Sequence, residues 1–253
     1  MGSARRLYLF AGIFHLIVLE ALLVPAILFW PDFAKSIAPL KALAPLDIVK
    51  DLFTAVERTG VEAYVHIQHF FKGCHTLGGV VAVLLAVLAI SAEAWRGTLE
   101  IQLARPISRL RLFAERWTGG ALALVVPVFA TTATLPWLLA RVGERMDLSK
   151  LMLGATHEAL FLLAIYSATF LASCLCDKPF AIAFVALLLA VFELSIYVVK
   201  VWTHWSVFRL ADPFVFERIS RHGALDASLA LSLLAFSAAC LGLAWTAFAR
   251  RTP

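Results

Sequence analysis

Charge is what this sequence has least of. Charged residues make up 15% of the 253 residues, while 62% are hydrophobic, and the mean hydropathy is +0.87. A soluble domain carries about 25% charged and about 45–50% apolar residues. So large an apolar excess excludes a water-facing surface over most of the molecule and implies an integral membrane protein. Cysteine is also sparse. Cys74, Cys174, Cys176 and Cys240 lie in or beside apolar runs, which excludes the disulfide framework of a small secreted domain. They read as small core residues.

Several motifs are missing too. The chain has no Gly-rich phosphate loop, no dinucleotide fingerprint and no nucleophile elbow. It shows no internal repeat and no low-complexity linker. It is therefore expected to be a single membrane domain over residues 1–253, not an enzyme, with no cofactor of its own. The formal net charge is +5 and the sequence pI about 9.2. Lys and Arg gathered beside membrane spans explain that balance more simply than nucleic acid does.

What is present is a series of long apolar runs. Spans are expected at residues 7–30, 73–92, 118–139, 151–174, 179–199 and 227–248, each near the 20 residues needed to cross a hydrocarbon core about 30 Å thick. The N-terminal run exceeds a signal-peptide core of about 7–15 residues and has no clear small-residue cleavage site, so it reads as a retained span. Trp30-Pro31 is expected to end it. Ile48, Leu52 and Val56 recur every four residues, which predicts an amphipathic helix, and residues 61–71 read as a second short interfacial helix. Six spans put both termini on one side. The dense arginines near the span ends there assign that side to the cytoplasm.

Ionisable residues inside spans are candidate functional groups. His15 and Glu20 are two such, with a bond to a neighbouring helix as the alternative. Glu193 shares a face with Tyr197 and Lys200, and a Glu193–Lys200 pair is preferred to an ion or proton pathway. Pro127 and Pro136 are expected to kink the third span, with Thr131, Thr132 and Thr134 able to satisfy the freed carbonyls. His66, His69, Cys74 and His75 cluster in sequence. Imidazole and thiolate suit zinc or copper, but the spacing matches no standard zinc pattern. Interfacial histidines are expected, with a metal site as the lesser alternative. The aromatic and basic segment 202–226 suits an interfacial or re-entrant position.

The one dense charged block runs from Glu93 to Trp117, between two apolar runs. Pro106 is expected to break one helix and begin another, with Arg105, Arg109 and Arg116 on the basic face of a helix lying on the membrane surface. By physics alone this could be a topology anchor. The pattern Glu93-x3-Gly97-Thr98-Leu99-Glu100-x4-Arg105-Pro106-x-Ser108-Arg109 resembles the loop between the second and third spans of ABC-2-type ABC transporter permeases. The six-span layout resembles that family over nearly the whole chain. Three features depart from it: no elbow helix precedes the first span, Glu115-Arg116 stands where relatives often have Gly-Lys, and the segment after the first span is long.

The resemblance implies an all-α permease with about six spans. A cytoplasmic coupling helix would lie between the second and third spans and a re-entrant segment before the sixth. It implies a multi-pass protein of the inner (plasma) membrane, paired with a second permease subunit, as homodimer or heterodimer, and docked on a separate ABC ATPase that binds ATP and Mg. Gly97, Thr98, Glu100, Arg105, Pro106 and Arg109 would form the joint. Export is the expected activity. The alternatives are a scaffold transmitting force to an extracytoplasmic partner and a membrane metal- or redox-handling subunit.

Overall fold

The computed structural model describes residues 2–251, with side chains from residue 5 onward. Among the described residues the regular structure is helical: α1 Gly2–Lys35, α2 Ile37–Leu43, α3 Asp47–Thr59, α4 Val61–Val65, a π-helical stretch His66–Leu77, α5 Gly78–Ala89, α6 Ser91–Trp95, α7 Thr98–Leu103, α8 Arg109–Arg141, α9 Leu148–Leu175, α10 Pro179–Val198, two 3₁₀ turns at Thr203–Trp205 and Val207–Ala211, α11 Pro213–His222 and α12 Ala227–Ala249. Six stretches are long and apolar enough to cross a membrane: Arg5–Lys35, Val61–Ala89, Arg109–Arg141, Leu148–Leu175, Pro179–Val198 and Ala227–Ala249. The fold is that of an all-α integral membrane protein.

The helix starts follow local chemistry. Ser108, Asp147, Asp212 and Asp226 stand at the N-caps of α8, α9, α11 and α12, each accepting a backbone N–H of the first turn. These caps satisfy donors that a helix start leaves orphaned. Pro179 and Pro213 open α10 and α11, where a missing N–H costs nothing.

The span α9 is the hub. It packs against α5, α8 and α12, while α1 lies along α8. Small residues permit the closest approaches. A Cβ on Gly120 would sit 2.2 Å from the Tyr166 hydroxyl, and one on Gly119 would sit 2.5 Å from the Tyr8 ring. Without a hydrophobic drive between helices in lipid, close packing of this kind holds spans together. By contrast, α10 presents Phe180, Phe184, Leu188, Leu189 and Phe192 outward.

The end opposite the termini is capped. The amphipathic α3 buries Ile48 and Val56. Ion pairs Lys41–Glu57 at 2.6 Å, Arg58–Glu217 and Lys200–Asp51 at 3.0 Å join α2, α3, α10's exit and α11.

Five expectations are corrected. Pro31 does not stop the first span; the helix runs on to Lys35. Trp30 and Phe33 pack on Tyr64 with ring centroids 4.9 Å apart in each case, and the Trp30 indole N–H donates to Glu144 at 3.0 Å, which holds the extra turn in place. Residues 61–71 are not interfacial but begin the second span, because Phe70 and Phe216 pack on His66, Phe70 on His69, and Phe161 and Phe208 on His75 just beyond. Pro106 does not open a surface helix. Ser108 caps a helix that starts at Arg109, so the arginines after it belong to the first turns of the third span. Lys200 pairs with Asp51 and not with Glu193, because α10 ends at Val198 and the chain turns away. In the third span, which stays helical past Pro127 and Pro136, the threonines serve other carbonyls than expected: Thr131, Thr132 and Thr134 bond those of Pro127, Val128 and Thr131. Those are not the carbonyls at 123 and 132 that the prolines free.

Candidate functional site

At the end holding both termini, the chain between the second and third spans builds a compact platform. The helix path breaks at Ile90, whose φ is −131° and ψ −59°. The Ser91 backbone N–H then donates to the Ser173 hydroxyl at 2.8 Å, which anchors α6 to α9. Gly97 has φ +69° and ψ 11°, a left-handed conformation that reverses the chain between α6 and α7. The Thr98 hydroxyl donates to the Glu93 carbonyl at 3.1 Å, closing that turn.

Three side chains weld the platform to the spans. The Glu93 carboxylate lies 2.7 Å from the Arg116 guanidinium and accepts from the Gln102 amide at 3.0 Å. Arg116 in turn donates to the Gln102 oxygen. One residue comes from α6, one from α7 and one from α8, so the knot fixes three elements at once. Arg116 is only 5% exposed. Burial pushes the Glu93 carboxyl up from its ordinary range, against the opposing pull of Arg116, Gln102 and Arg96. A buried pair of this kind is costly to break, because removing one partner strands the other charge.

The fully buried Leu99 fixes which face of α7 points inward. Thr98 and Ile101, three residues apart, stand exposed on one face of α7, and Arg105 is exposed in the bend that follows it. Ile101 is 59% exposed in a segment outside the spans. Gly97 and Pro106 are exposed at the two bends, and Glu100 is half-buried at the side of α7. Arg109 is turned elsewhere: its guanidinium donates to the carbonyls of Ala249 and Arg251, tying α8 to the chain end. Arg251 also bonds the Cys174 carbonyl at 2.9 Å and pairs with Asp177.

Of the outward row, Thr98 and Arg105 were named from the sequence; Ile101 and the knot were not. Gln102 and Arg116 carry no motif. Their only signal is that an arginine at the mouth of a span requires a carboxylate, and Glu93 is the available one.

The intramembrane candidates are distributed elsewhere. His15 is buried, and neither ring nitrogen has a hydrogen-bond partner among the described residues. The Thr134 hydroxyl lies 2.9 Å from Glu20, linking α8 to α1. The Glu193 carboxylate accepts the Val207 N–H at 3.0 Å, and its carbonyl accepts the Ser206 hydroxyl at 2.8 Å. It therefore caps the 3₁₀ turn at the far end.

His66, His69, Cys74 and His75 all lie in the π-helical stretch of the second span. His69 meets the Thr132 hydroxyl at 2.9 Å, and Cys74 lies 3.8 Å from the same imidazole. His66 packs near Phe216, while His75 stacks on Phe161 at 4.3 Å. Among the described residues no three His, Cys, Asp or Glu side chains are placed to hold one metal ion. Glu158, near the start of the fourth span and not among the candidate groups, is fully buried with its Oε1 3.9 Å from His75 Nδ1. His157 beside it contacts the Leu210 carbonyl at 2.7 Å.

A search among curated proteins returned no match. A family model described as "ABC-2 family transporter protein" matches residues 22–252.

Proposed function

Since the chain belongs to the ABC-2 transporter family and is a multi-pass membrane permease subunit, we propose that it is the transmembrane half of an ABC exporter driven by a separate ATPase subunit. The platform from Ser91 to Ser108 is the joint. It faces the cytoplasm and seats the outward row Thr98, Ile101 and Arg105 on the ATPase, with Gly97 and Pro106 shaping the bends and Glu100 flanking. Arg109 supports the joint from behind through the chain end.

One observation carries this reading: an exposed isoleucine on a short helix, and an exposed arginine in the bend just after it, on a platform that is itself locked to the spans. An apolar residue beside a cation is the composition of an interface centre. The lock supplies what force transmission requires. A push on α7 passes through Glu93–Arg116–Gln102 into α8 and through Ser91–Ser173 into α9. ATP and Mg sit on the partner, and closure of the paired ATPases would move these helices as rigid bodies. A second permease subunit completes the assembly; the outward apolar face of α10 is the surface available to it.

The charge distribution supports this orientation. At the end with the termini, basic residues outnumber the acidic Glu93, Glu100, Glu115 and Asp177 by more than two to one. At the opposite end the two signs nearly balance. Basic density in short connections marks the cytoplasmic face.

The test is Ile101→Asp and Arg105→Glu in a reconstituted complex with the companion ATPase. Loss of a central interface residue costs about 2 kcal/mol or more, roughly thirtyfold in affinity. Expected is loss of ATPase co-purification and transport with unchanged thermal stability of the permease. Full retention of both would contradict the proposal.

A further inference from the structure

A cavity of about 450 Å³ opens between α1, α8 and the turn after α7. Its volume is in the range of small-molecule sites. Its two ends differ in chemistry. Arg5, Gln102, Arg105 and Arg116 line the mouth together with Glu115, while Leu9, Ile13, Leu16, Leu122 and Val126 line the floor. Leu9, Leu122 and Val126 are largely exposed, so the floor opens sideways to the bilayer.

The length is informative. From Arg5 to Leu16 the first span rises about 16 Å at 1.5 Å per residue. Half of a hydrocarbon core about 30 Å thick is about 15 Å. The cavity thus runs from the headgroup level to near the bilayer midplane, the reach of one leaflet. Its mouth carries Arg5, Arg105 and Arg116 beside Glu115. Arg116 is already paired with Glu93, and Glu115 is shared between Arg111 at 3.3 Å and the exposed Arg5 at 3.9 Å, so Arg105 is the guanidinium there without an ion-pair partner among the described residues. Two further groups give the site a built character. Arg116 and Tyr8 are 5% and 6% exposed, and the Tyr8 hydroxyl is buried without a hydrogen-bond partner among the described residues.

We propose that this groove holds one anionic glycerophospholipid, its headgroup phosphate at Arg5 and Arg105 and one acyl chain along Leu9, Ile13, Leu122 and Val126. Basic residues at a membrane surface attract anionic headgroups, and the apolar trough removes a chain from competition with bulk lipid. The lipid would bridge the first span to the turn that follows α7. Its presence would therefore stiffen the segment assigned above to ATPase docking. The two readings share Arg105, so lipid binding is read on the permease alone and tested at Arg5 and Val126, which the docking row does not include.

The experiment is native mass spectrometry of purified, delipidated full-length protein titrated with phosphatidylglycerol or phosphatidylcholine. Expected is one phosphatidylglycerol retained under activation that strips phosphatidylcholine. Arg5→Glu should weaken retention about tenfold, and Val126→Trp, which fills the floor, should abolish it. Both positions are exposed, and an unchanged melting temperature identifies a folded variant. Equal retention of the two lipids, or indifference to both substitutions, would reduce the groove to ordinary annular contact and overturn the proposal. Binding of free glycerol 3-phosphate as tight as the lipid, insensitive to Val126→Trp, would overturn it as well. ATPase docking retained in Ile101→Asp, with lipid binding intact, would sink the proposed joint and leave this site standing.

Discussion

At the residue scale, close packing and buried charge set the tolerances. The Tyr166 hydroxyl donates to the carbonyls of Arg116 and Trp117 at 3.3 and 3.2 Å, over the bare face of Gly120. A methyl group there must push Tyr166 off those carbonyls. Gly120→Ala should destabilise by about 1–3 kcal/mol, the cost of overpacking. Gly242→Ala is the control, because a Cβ there meets nothing within 4 Å. Thermal unfolding in detergent distinguishes the two, and equal melting temperatures would contradict the packing account.

Asp212 gives a pH dependence. Burial pushes its carboxyl up to about 6 from an ordinary 3.8, against the pull of the Val215 N–H and Arg218. A carboxyl raised on folding binds its proton more tightly in the native state. Its contribution is therefore full at low pH and is lost as pH rises from about 4 through 6. Asp212→Asn keeps an oxygen for the α11 cap and has no charge to bury. The stability of the Asn variant relative to wild type should grow across that window. A constant difference would show that Asp212 is not buried as described.

At the scale of elements, six apolar stretches were legible because hydrophobicity over about 20 residues needs no partner to be read. The α3 helix was legible from the spacing of Ile48, Leu52 and Val56. The second span was read twelve residues short. His66, Gln68, His69, Lys72 and His75 make its first half look interfacial, and only the aromatic side chains packed around that half reveal it as buried. Those aromatics come from α9, α11 and a 3₁₀ turn far along the chain, so no local window contains them. The Glu93–Gln102–Arg116 knot lay inside the one charged block but depends on how α6, α7 and α8 fold onto one another, while the Gly97-Thr98-Leu99-Glu100 run was legible as a motif. Glu93→Gln should leave the Arg116 charge buried with half its partner. The expected cost is several kcal/mol, read as a lowered melting temperature. A second reciprocal change, Arg116→Met, should recover part of it. No recovery would mean the pair is not coupled.

At the scale of the whole molecule, the two ends divide the work. The end opposite the termini is sealed by α3, α11 and their cross-links Arg58–Glu217 and Lys200–Asp51. The other end is a rigid platform with its apolar and basic residues turned out. At about 1.5 Å per residue, the 33 residues of α8 span roughly 50 Å, well beyond a hydrocarbon core of about 30 Å. Its first turns therefore stand in the headgroup layer and carry the platform with them. This geometry joins the outward residues of the platform, the knot and the cavity beside α1 around Arg116, so the proposed docking row and the proposed lipid site would act as one mechanical unit.

The most direct measurement is the side on which Thr98 lies. In a background lacking Cys74, Cys174, Cys176 and Cys240, Thr98→Cys is treated with a membrane-impermeant maleimide in intact cells and again after permeabilisation. The expected result is labelling only after permeabilisation, suppressed when the companion ATPase is co-expressed. Labelling in intact cells would place the platform outside and contradict the account.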